Sequence, residues 1–218
     1  LLTGAILCFT YFLSAQTAND AILPYVEPFR PGVNLGYFPG LDNEDLADLA
    51  AGNAANNVQG IGAKSIRTGI FNEFVEIWGY DFLEETYDYF EARGLKENTV
   101  IVGFPADWQR DQTFHCPDKQ STMFANLYEP IFDNGENGTP VNDNNFLALY
   151  LYKLVNQYQD HVRFWEIWNE PSLDQSNYKA TLPPGHPESW WDNDPDPCDM
   201  DIQAPVYHYI RMLRVCYD

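Results

Sequence analysis

Short apolar segments alternate with amphipathic helical segments along this chain, and that order limits the possible folds more than any other feature. The apolar segments have the length of β-strands and lie at 32–38, around 65–68, at 99–104 and at 162–168. They lack a clean alternation of apolar and polar residues, which is typical of strands in a sheet covered on both faces. Strands that are each followed by a helix predict parallel βα units and an α/β fold.

The first helical segment has clear start and stop signals. Asp42 or Asn43 can cap its beginning, and Gly52 can end it. Its apolar residues recur at helical spacing at Leu46, Leu49 and Ala50. Further helices are predicted over 81–93, with Phe82, Tyr89 and Phe90 on one face, over 145–158, and from Pro205 to the end of the chain.

Two long connections follow the third and fourth predicted strands, over 105–141 and 172–204. Loops of this length inside a compact domain usually carry a function. Segment 38–40, Phe-Pro-Gly, has neither the glycine pattern nor the lysine of a phosphate-binding loop, which disfavours a doubly wound nucleotide-binding fold. Long loops at the carboxyl ends of parallel strands favour a (β/α)8 TIM barrel, of which this chain contains about the first four βα units.

The charge of the chain excludes some partners. It has 12 Lys and Arg against 32 Asp and Glu, a formal net charge of -20. Such a surface repels a phosphate backbone and an anionic membrane, so we expect no nucleic-acid partner. A neutral oligosaccharide or polysaccharide meets no such repulsion.

The amino-terminal segment resembles an export signal. Residues 1–12 are apolar and uncharged, and the small residues Ser14 and Ala15 follow. The run is shorter than the roughly 20 residues of a membrane-spanning helix, and no later segment is apolar enough, so no membrane span is predicted. Because neither a Met nor a basic segment precedes Leu1, we interpret 1–16 as a partial signal peptide and 17–218 as the N-terminal half of a barrel domain. A secreted or periplasmic protein is expected.

The cysteines fit an exported protein better than a metal site. Cys8 lies in the predicted signal peptide, and the spacing of Cys116, Cys198 and Cys216 matches no zinc motif. An oxidising destination permits a disulfide, for which Cys116 and Cys198 in the long loops are the better pair. Cys216 lies in a helical pattern and is predicted to be a buried free thiol.

One short motif carries a specific resemblance. Segment 163–172 reads Arg-Phe-Trp-Glu-Ile-Trp-Asn-Glu-Pro-Ser and lies where the fourth strand leaves the sheet. Its Trp-Asn-Glu-Pro at 168–171 resembles the signature of a clan of retaining glycoside hydrolases that share the (β/α)8 fold. The run 165–171 is most similar to glycoside hydrolase family 39, the β-xylosidase and α-iduronidase group. The resemblance implies that Glu170 is the general acid/base and that Asn169 binds the sugar 2-hydroxyl.

Retaining hydrolysis requires two carboxyl groups with different roles. One protonates the leaving oxygen, and the other attacks the sugar from the opposite face. In the family the nucleophile follows the seventh strand, so we expect it beyond Asp218 and expect the 218-residue chain alone to be inactive. Glu166 shares strand parity with Glu170 and is interpreted as a buried, hydrogen-bonded support residue. An ordinary surface role for Glu170 is the alternative.

Other residues are candidates for substrate binding. Arg67, at the end of the second strand, resembles the arginine that this clan places beside the nucleophile, and a surface arginine at a strand end is the alternative. Trp108, Trp190 and Trp191 lie in the long loops, where exposed indole faces can bind sugars or simply pack under the loop. His115 follows the third strand and either contacts substrate or is a surface residue.

The favoured interpretation is a retaining glycosidase that cleaves O-glycosidic bonds by double displacement. The acidic runs 133–138 and 192–201 are interpreted as solvated loops, with structural calcium as the minor alternative, and the first departs from the EF-hand calcium pattern. No metal and no cofactor are therefore expected. A noncatalytic carbohydrate-binding barrel is the alternative, and an interaction protein complete in four βα units is disfavoured because it would leave two open sheet edges. The pattern determines neither the sugar and linkage nor the oligomeric state.

Overall fold

The computed structural model describes residues 31–36, 38–172 and 178–218. The predicted signal peptide 1–16 and Tyr37 of the first predicted strand lie outside the described residues. Four parallel strands form one sheet in the order β1-β2-β3-β4. They are β1 Gly32–Asn34, β2 Ser65–Gly69, β3 Asn98–Val102 and β4 Val162–Ile167.

Five α-helices accompany the sheet in the described part of the chain. They are α1 Asn43–Ala51, α2 Asn72–Trp78, α3 Glu84–Ala92, α4 Phe146–Tyr158 and α5 Val206–Tyr217. Each strand pairs in parallel with the next one along the chain, as the alternating pattern predicts. The mixed α/β class and the parallel sheet are therefore confirmed. Within these ranges every helix is too short or too polar to cross a membrane.

The two faces of the sheet are covered unequally. On one face Ile66, Val100 and Val102 are at most 1% exposed, because they form a core with apolar residues of the helices. On the other face Phe164 is 47% exposed. The prediction that both faces are covered therefore holds for one face of the described sheet. The same half-exposed face contains the paired side chains of Arg67 and Glu166, which form part of the candidate site.

Helix α1 begins and ends at the residues that the sequence indicates. The Asp42 side chain accepts a hydrogen bond from Asp45 N at 2.9 Å, and the Asp45 side chain accepts one from Asp42 N at 3.2 Å. This reciprocal pair is a capping box. Gly52 ends the helix at φ 100°. Of the apolar residues at helical spacing, Leu46 and Ala50 are buried together with Ala47, whereas Leu49 is 48% exposed.

The predicted helix over 81–93 is shorter, and another helix precedes it. Helix α3 starts at Glu84, so Phe82 lies before the helix and not on its face. The buried residues of α3 are Tyr87 and Phe90. Helix α2 was not predicted, because its two turns follow β2 after only two residues and are too short for a clear period.

The two long loops are joined covalently. Cys116 and Cys198 form a disulfide with a Cα separation of 5.1 Å, which confirms the predicted pair. A backbone hydrogen bond from Thr122 N to Ile202 O at 3.0 Å joins the same segments nearby. Cys216 is a free thiol, as predicted, although it is only partly buried.

Candidate functional site

The chain leaves the sheet through an unusual backbone turn after β4. Trp168 and Glu170 have positive φ angles of 67° and 46°. Residues with a Cβ rarely adopt this conformation unless the surrounding structure holds them in it. Strand parity consequently ends at Ile167, and the predicted alignment of Glu170 with Glu166 does not apply.

Buried aromatic packing holds this turn in place. Trp168 is 3% exposed and its ring stacks on Phe104 at a centroid distance of 4.4 Å. Its backbone N–H donates to Val102 O at 2.9 Å, which continues the hydrogen bonding of β3 with β4 for one residue. Trp168 therefore fixes the backbone from which Asn169 and Glu170 project.

Arg67 lies in the middle of β2 and not at its predicted end, and its guanidinium group connects residues of three strands. Its Nε donates to Glu166 Oε2 at 2.6 Å and its Nη2 donates to Glu166 Oε1 at 2.7 Å, a bidentate pair. Nη2 also donates to Asn169 Oδ1 at 2.8 Å, and Nη1 donates to Asn34 Oδ1 at 3.1 Å. Residues of β1, β2 and β4 are thereby held in one polar network.

The charges of this network reinforce one another. The hydrogen bonds from Arg67 hold the pKa of Glu166 below its usual value, so the Glu166 carboxylate stays ionised. The same bonds raise the pKa of Arg67, and the charge of Glu170 adds to that effect. The predicted support role of Glu166 agrees with these bonds, although its side chain is 36% exposed and not fully buried.

Asn169 lies between two cavities at the carboxyl ends of the strands. One has a volume of about 620 Å³, and the polar residues Asn34 and Arg67 line it together with aromatic rings of α2 and its surroundings. The other has a volume of about 330 Å³ and is lined by Glu73, Phe104, Pro105, Arg110, Thr122, Trp168 and Asp201 as well as Asn169. The larger cavity is mostly apolar with a few convergent polar groups, which is typical of small-molecule sites, whereas most of the residues that line the smaller cavity are polar.

Glu170 is exposed to solvent and lines neither of these two cavities. Its position next to Asn169 and its electrostatic effect on Arg67 nevertheless associate it with the network. Because Asn169 Oδ1 accepts from Arg67, the Asn169 amide presents its N–H groups as the remaining donors. The structure thus brings together three of the predicted site residues, Arg67, Asn169 and Glu170.

The other predicted binding residues, which lie in the long loops, are not part of the network around Arg67. Trp108 and Trp191 are 63% and 71% exposed, and Trp190 is partly buried, with no hydrogen-bond partner for its Nε1 among the described residues. His115 pairs with Asp111, its Nε2 lying 3.2 Å from Asp111 Oδ2. These residues line neither cavity, so their predicted contact with substrate remains a prediction.

The sequence interpretation missed several polar residues of the site. Asn34 ends β1, and its position at a strand end is a signal that could have identified it. Glu73 lies in the unpredicted helix α2. Asp201 belongs to the acidic run that was interpreted as solvated, and Arg110 lies in the long loop after β3. Loop geometry, which the periodicity of a sequence does not encode, brings Arg110 and Asp201 to the cavity that Asn169 lines.

No protein-family model matches this chain, and no curated protein and no solved structure matches it either. The identity of the site therefore depends on the motif at 168–171 and on the geometry around Arg67. These two features come from different parts of the chain and meet at Asn169.

Proposed function

We propose that this chain provides the acid/base side of the active site of a retaining glycosidase. The observation that carries the proposal is the position of Glu170, in the turn that follows β4 and next to the network that joins Arg67, Glu166 and Asn169. A strand-end carboxylic acid beside a fixed amide donor meets two requirements of glycoside hydrolysis, a proton donor and a group that binds a sugar hydroxyl.

The finer architecture that we propose is a (β/α)8 TIM barrel with these four strands as its first half. Support comes from the sheet, which is all parallel, with apolar residues packed against helices on one face. The opposite face presents Arg67, Glu166 and the half-exposed Phe164. Additional strands would complete the barrel and cover this face, and polar residues at the carboxyl ends of strands would then surround a central site.

The reaction follows from the two-carboxylate mechanism. Glu170 would give its proton to the leaving oxygen while a second carboxylate attacks the anomeric carbon and forms a glycosyl-enzyme intermediate. Glu170 would then take a proton from the water that hydrolyses this intermediate. We propose that the nucleophile lies about 5–5.5 Å from Glu170, on a barrel strand that follows residue 218. The mechanism needs no cofactor.

The proposed substrate is an oligosaccharide or polysaccharide outside the cytoplasm. The disulfide between Cys116 and Cys198 supports an oxidising location, since such bonds are rare in cytosolic proteins. The formal net charge of -20 supports a neutral substrate. The exposed rings of Trp108 and Trp191 would offer flat apolar surfaces to sugars.

The test replaces Glu170 with Ala in the full-length protein and compares two aryl glycosides. A substrate with a poor leaving group should lose most of its rate, roughly 10²–10⁴-fold, because its departure requires protonation. An activated substrate should still form the glycosyl-enzyme, which should accumulate because the second step lacks its base. Added azide should restore turnover and give a glycosyl azide with the anomeric configuration of the substrate.

Glu85→Ala is a suitable control, because Glu85 is an exposed residue in the first turn of α3. It should leave both rates and the response to azide unchanged. If Glu170→Ala slows both substrates equally and azide has no effect, Glu170 is not the acid/base and the proposal is wrong.

A noncatalytic carbohydrate-binding barrel is the second candidate. The exposure of Trp108 and Trp191 favours it, since binding through aromatic platforms requires neither an acid nor a nucleophile. A full-length protein that binds oligosaccharides but hydrolyses neither substrate, with Glu170 present, would support this candidate over the glycosidase.

A further inference from the structure

Three potential metal ligands meet outside the site described above. Asp111 and His115 lie in the long connection between β3 and α4, and His208 lies in the first turn of α5. One ligand atom of each residue lies within 4.8 Å of the other two. All three residues are partly buried, so their side chains are confined yet reachable by a small ion.

We propose that Asp111, His115 and His208 form a binding site for a divalent transition-metal ion of the zinc class. Two imidazoles and one carboxylate are a ligand set that zinc uses when a water completes the coordination. In a tetrahedral site with bonds of about 2.0–2.1 Å, ligand atoms are about 3.3 Å apart. His115 Nε2 and Asp111 Oδ2 already have this spacing, at 3.2 Å. The other separations, which are at most 4.8 Å, would shorten on metal binding through rotation of the imidazole side chains.

Neighbouring groups hold the ligands in place. Thr113 N donates to Asp111 Oδ1 at 3.0 Å, which fixes the carboxylate and leaves Oδ2 in contact with His115. The ring of His208 contacts those of His115 and Tyr128 at centroid distances of 5.2 and 5.5 Å. A hydrogen bond such as the one from Thr113 orients a direct ligand of a metal site, and the ring contacts confine the His208 side chain.

The position of the cluster indicates a structural role. His115 directly precedes Cys116, whose disulfide reaches Cys198 in the loop before α5. A metal bound to His208 would add a second link, from the same connection to α5 itself. The sequence interpretation expected no metal and did not consider these three residues together. His208 lies far along the chain from Asp111 and His115, so the set forms no recognisable spacing motif. This inference does not depend on the glycosidase proposal.

The test measures Zn²⁺ binding to the full-length protein, freed of any histidine tag, by calorimetry and by thermal unfolding. We expect one ion per chain and a higher melting temperature with Zn²⁺. His115→Gln and His208→Gln should each weaken binding by more than about 100-fold, since removal of a supporting partner alone costs up to that factor. His186→Gln is the matched control, because His186 lies in the neighbouring loop outside the cluster, and it should bind Zn²⁺ normally.

A second measurement covers the case in which a histidine variant does not fold. Co²⁺ bound to the unsubstituted protein should give the visible absorption of a four-coordinate ion with nitrogen and oxygen ligands, and Zn²⁺ should displace it. Cys216→Ser should not change this spectrum. Absence of stoichiometric Zn²⁺ binding, unchanged binding in a folded His208→Gln variant, or loss of binding in Cys216→Ser would each overturn the proposal.

Discussion

Gly103 shows how one backbone position supports the candidate site. Its φ of 135° is disfavoured for every other residue, and a Cβ placed there would lie 3.0 Å from the Trp168 ring. The absence of a side chain at Gly103 thus permits the close packing that holds the turn before Glu170. At this scale the sequence motif identified the candidate residues, but it could not reveal the positive φ angles at Trp168 and Glu170.

Replacing Gly103 with Ala should therefore both strain the backbone and displace the Trp168 ring. We expect the free energy of unfolding to fall by about 2–4 kcal/mol, from strain of about 1–3 kcal/mol and from overpacking. Urea unfolding measures this change. Gly135→Ala is the control, since Gly135 also has a positive φ of 83° but has open space around it, and it should cost about 1 kcal/mol. Equal losses in both variants would show that contact with Trp168 has no energetic role.

Helices α1 and α3 are connected by a buried polar contact around Asp48. Its carboxylate accepts hydrogen bonds from Arg93 Nε at 2.7 Å, from Tyr89 Oη at 2.8 Å and from Asn53 Nδ2 at 2.6 Å. The sequence predicts α1, α3 and α4 with small errors at their ends, because caps and apolar spacing are local signals. It does not predict this contact, because two helices must first pack before the groups meet.

The Asp48 contact should make stability depend on pH. Burial alone would raise the pKa of Asp48, but hydrogen bonds from Arg93, Asn53 and Tyr89 lower it from 3.8 to about 2. Since the folded-state pKa is below the unfolded one, the contribution is complete above pH 3.8 and is lost as the pH falls toward 2.

We expect Asp48→Asn to be less stable than the unsubstituted protein at pH 7, with the difference shrinking as the pH falls through this window. Denaturant unfolding at a series of pH values measures it. Asp143→Asn, at an exposed loop position, should show no such trend. A difference between Asp48→Asn and the unsubstituted protein that stays constant from pH 7 to the acid limit would contradict the assignment.

At the scale of the whole molecule, the order of strands and helices follows from the sequence, whereas the arrangement of the long loops does not. Parallel pairing of consecutive strands is the expected result of βα units, and the sheet has this order. The loops depend on contacts between distant segments, such as the Thr122 to Ile202 hydrogen bond. The sequence predicted contact between these two loops only through the cysteine pair, because each cysteine had few possible partners.

The disulfide should therefore be a main determinant of loop stability. Cys116 and Cys198 are 82 residues apart, so the bond restricts a large loop in the unfolded chain. Replacing both with Ser should lower the free energy of unfolding by about 2–4 kcal/mol, and reductant should lower the melting temperature of the unsubstituted protein but not of the variant. Cys216→Ser is the matched control and should keep the full response to reductant, since Cys216 is a free thiol. A melting temperature of the unsubstituted protein that does not change under reducing conditions, with complete reduction verified by mass, would show that the loops are held by their noncovalent contacts alone.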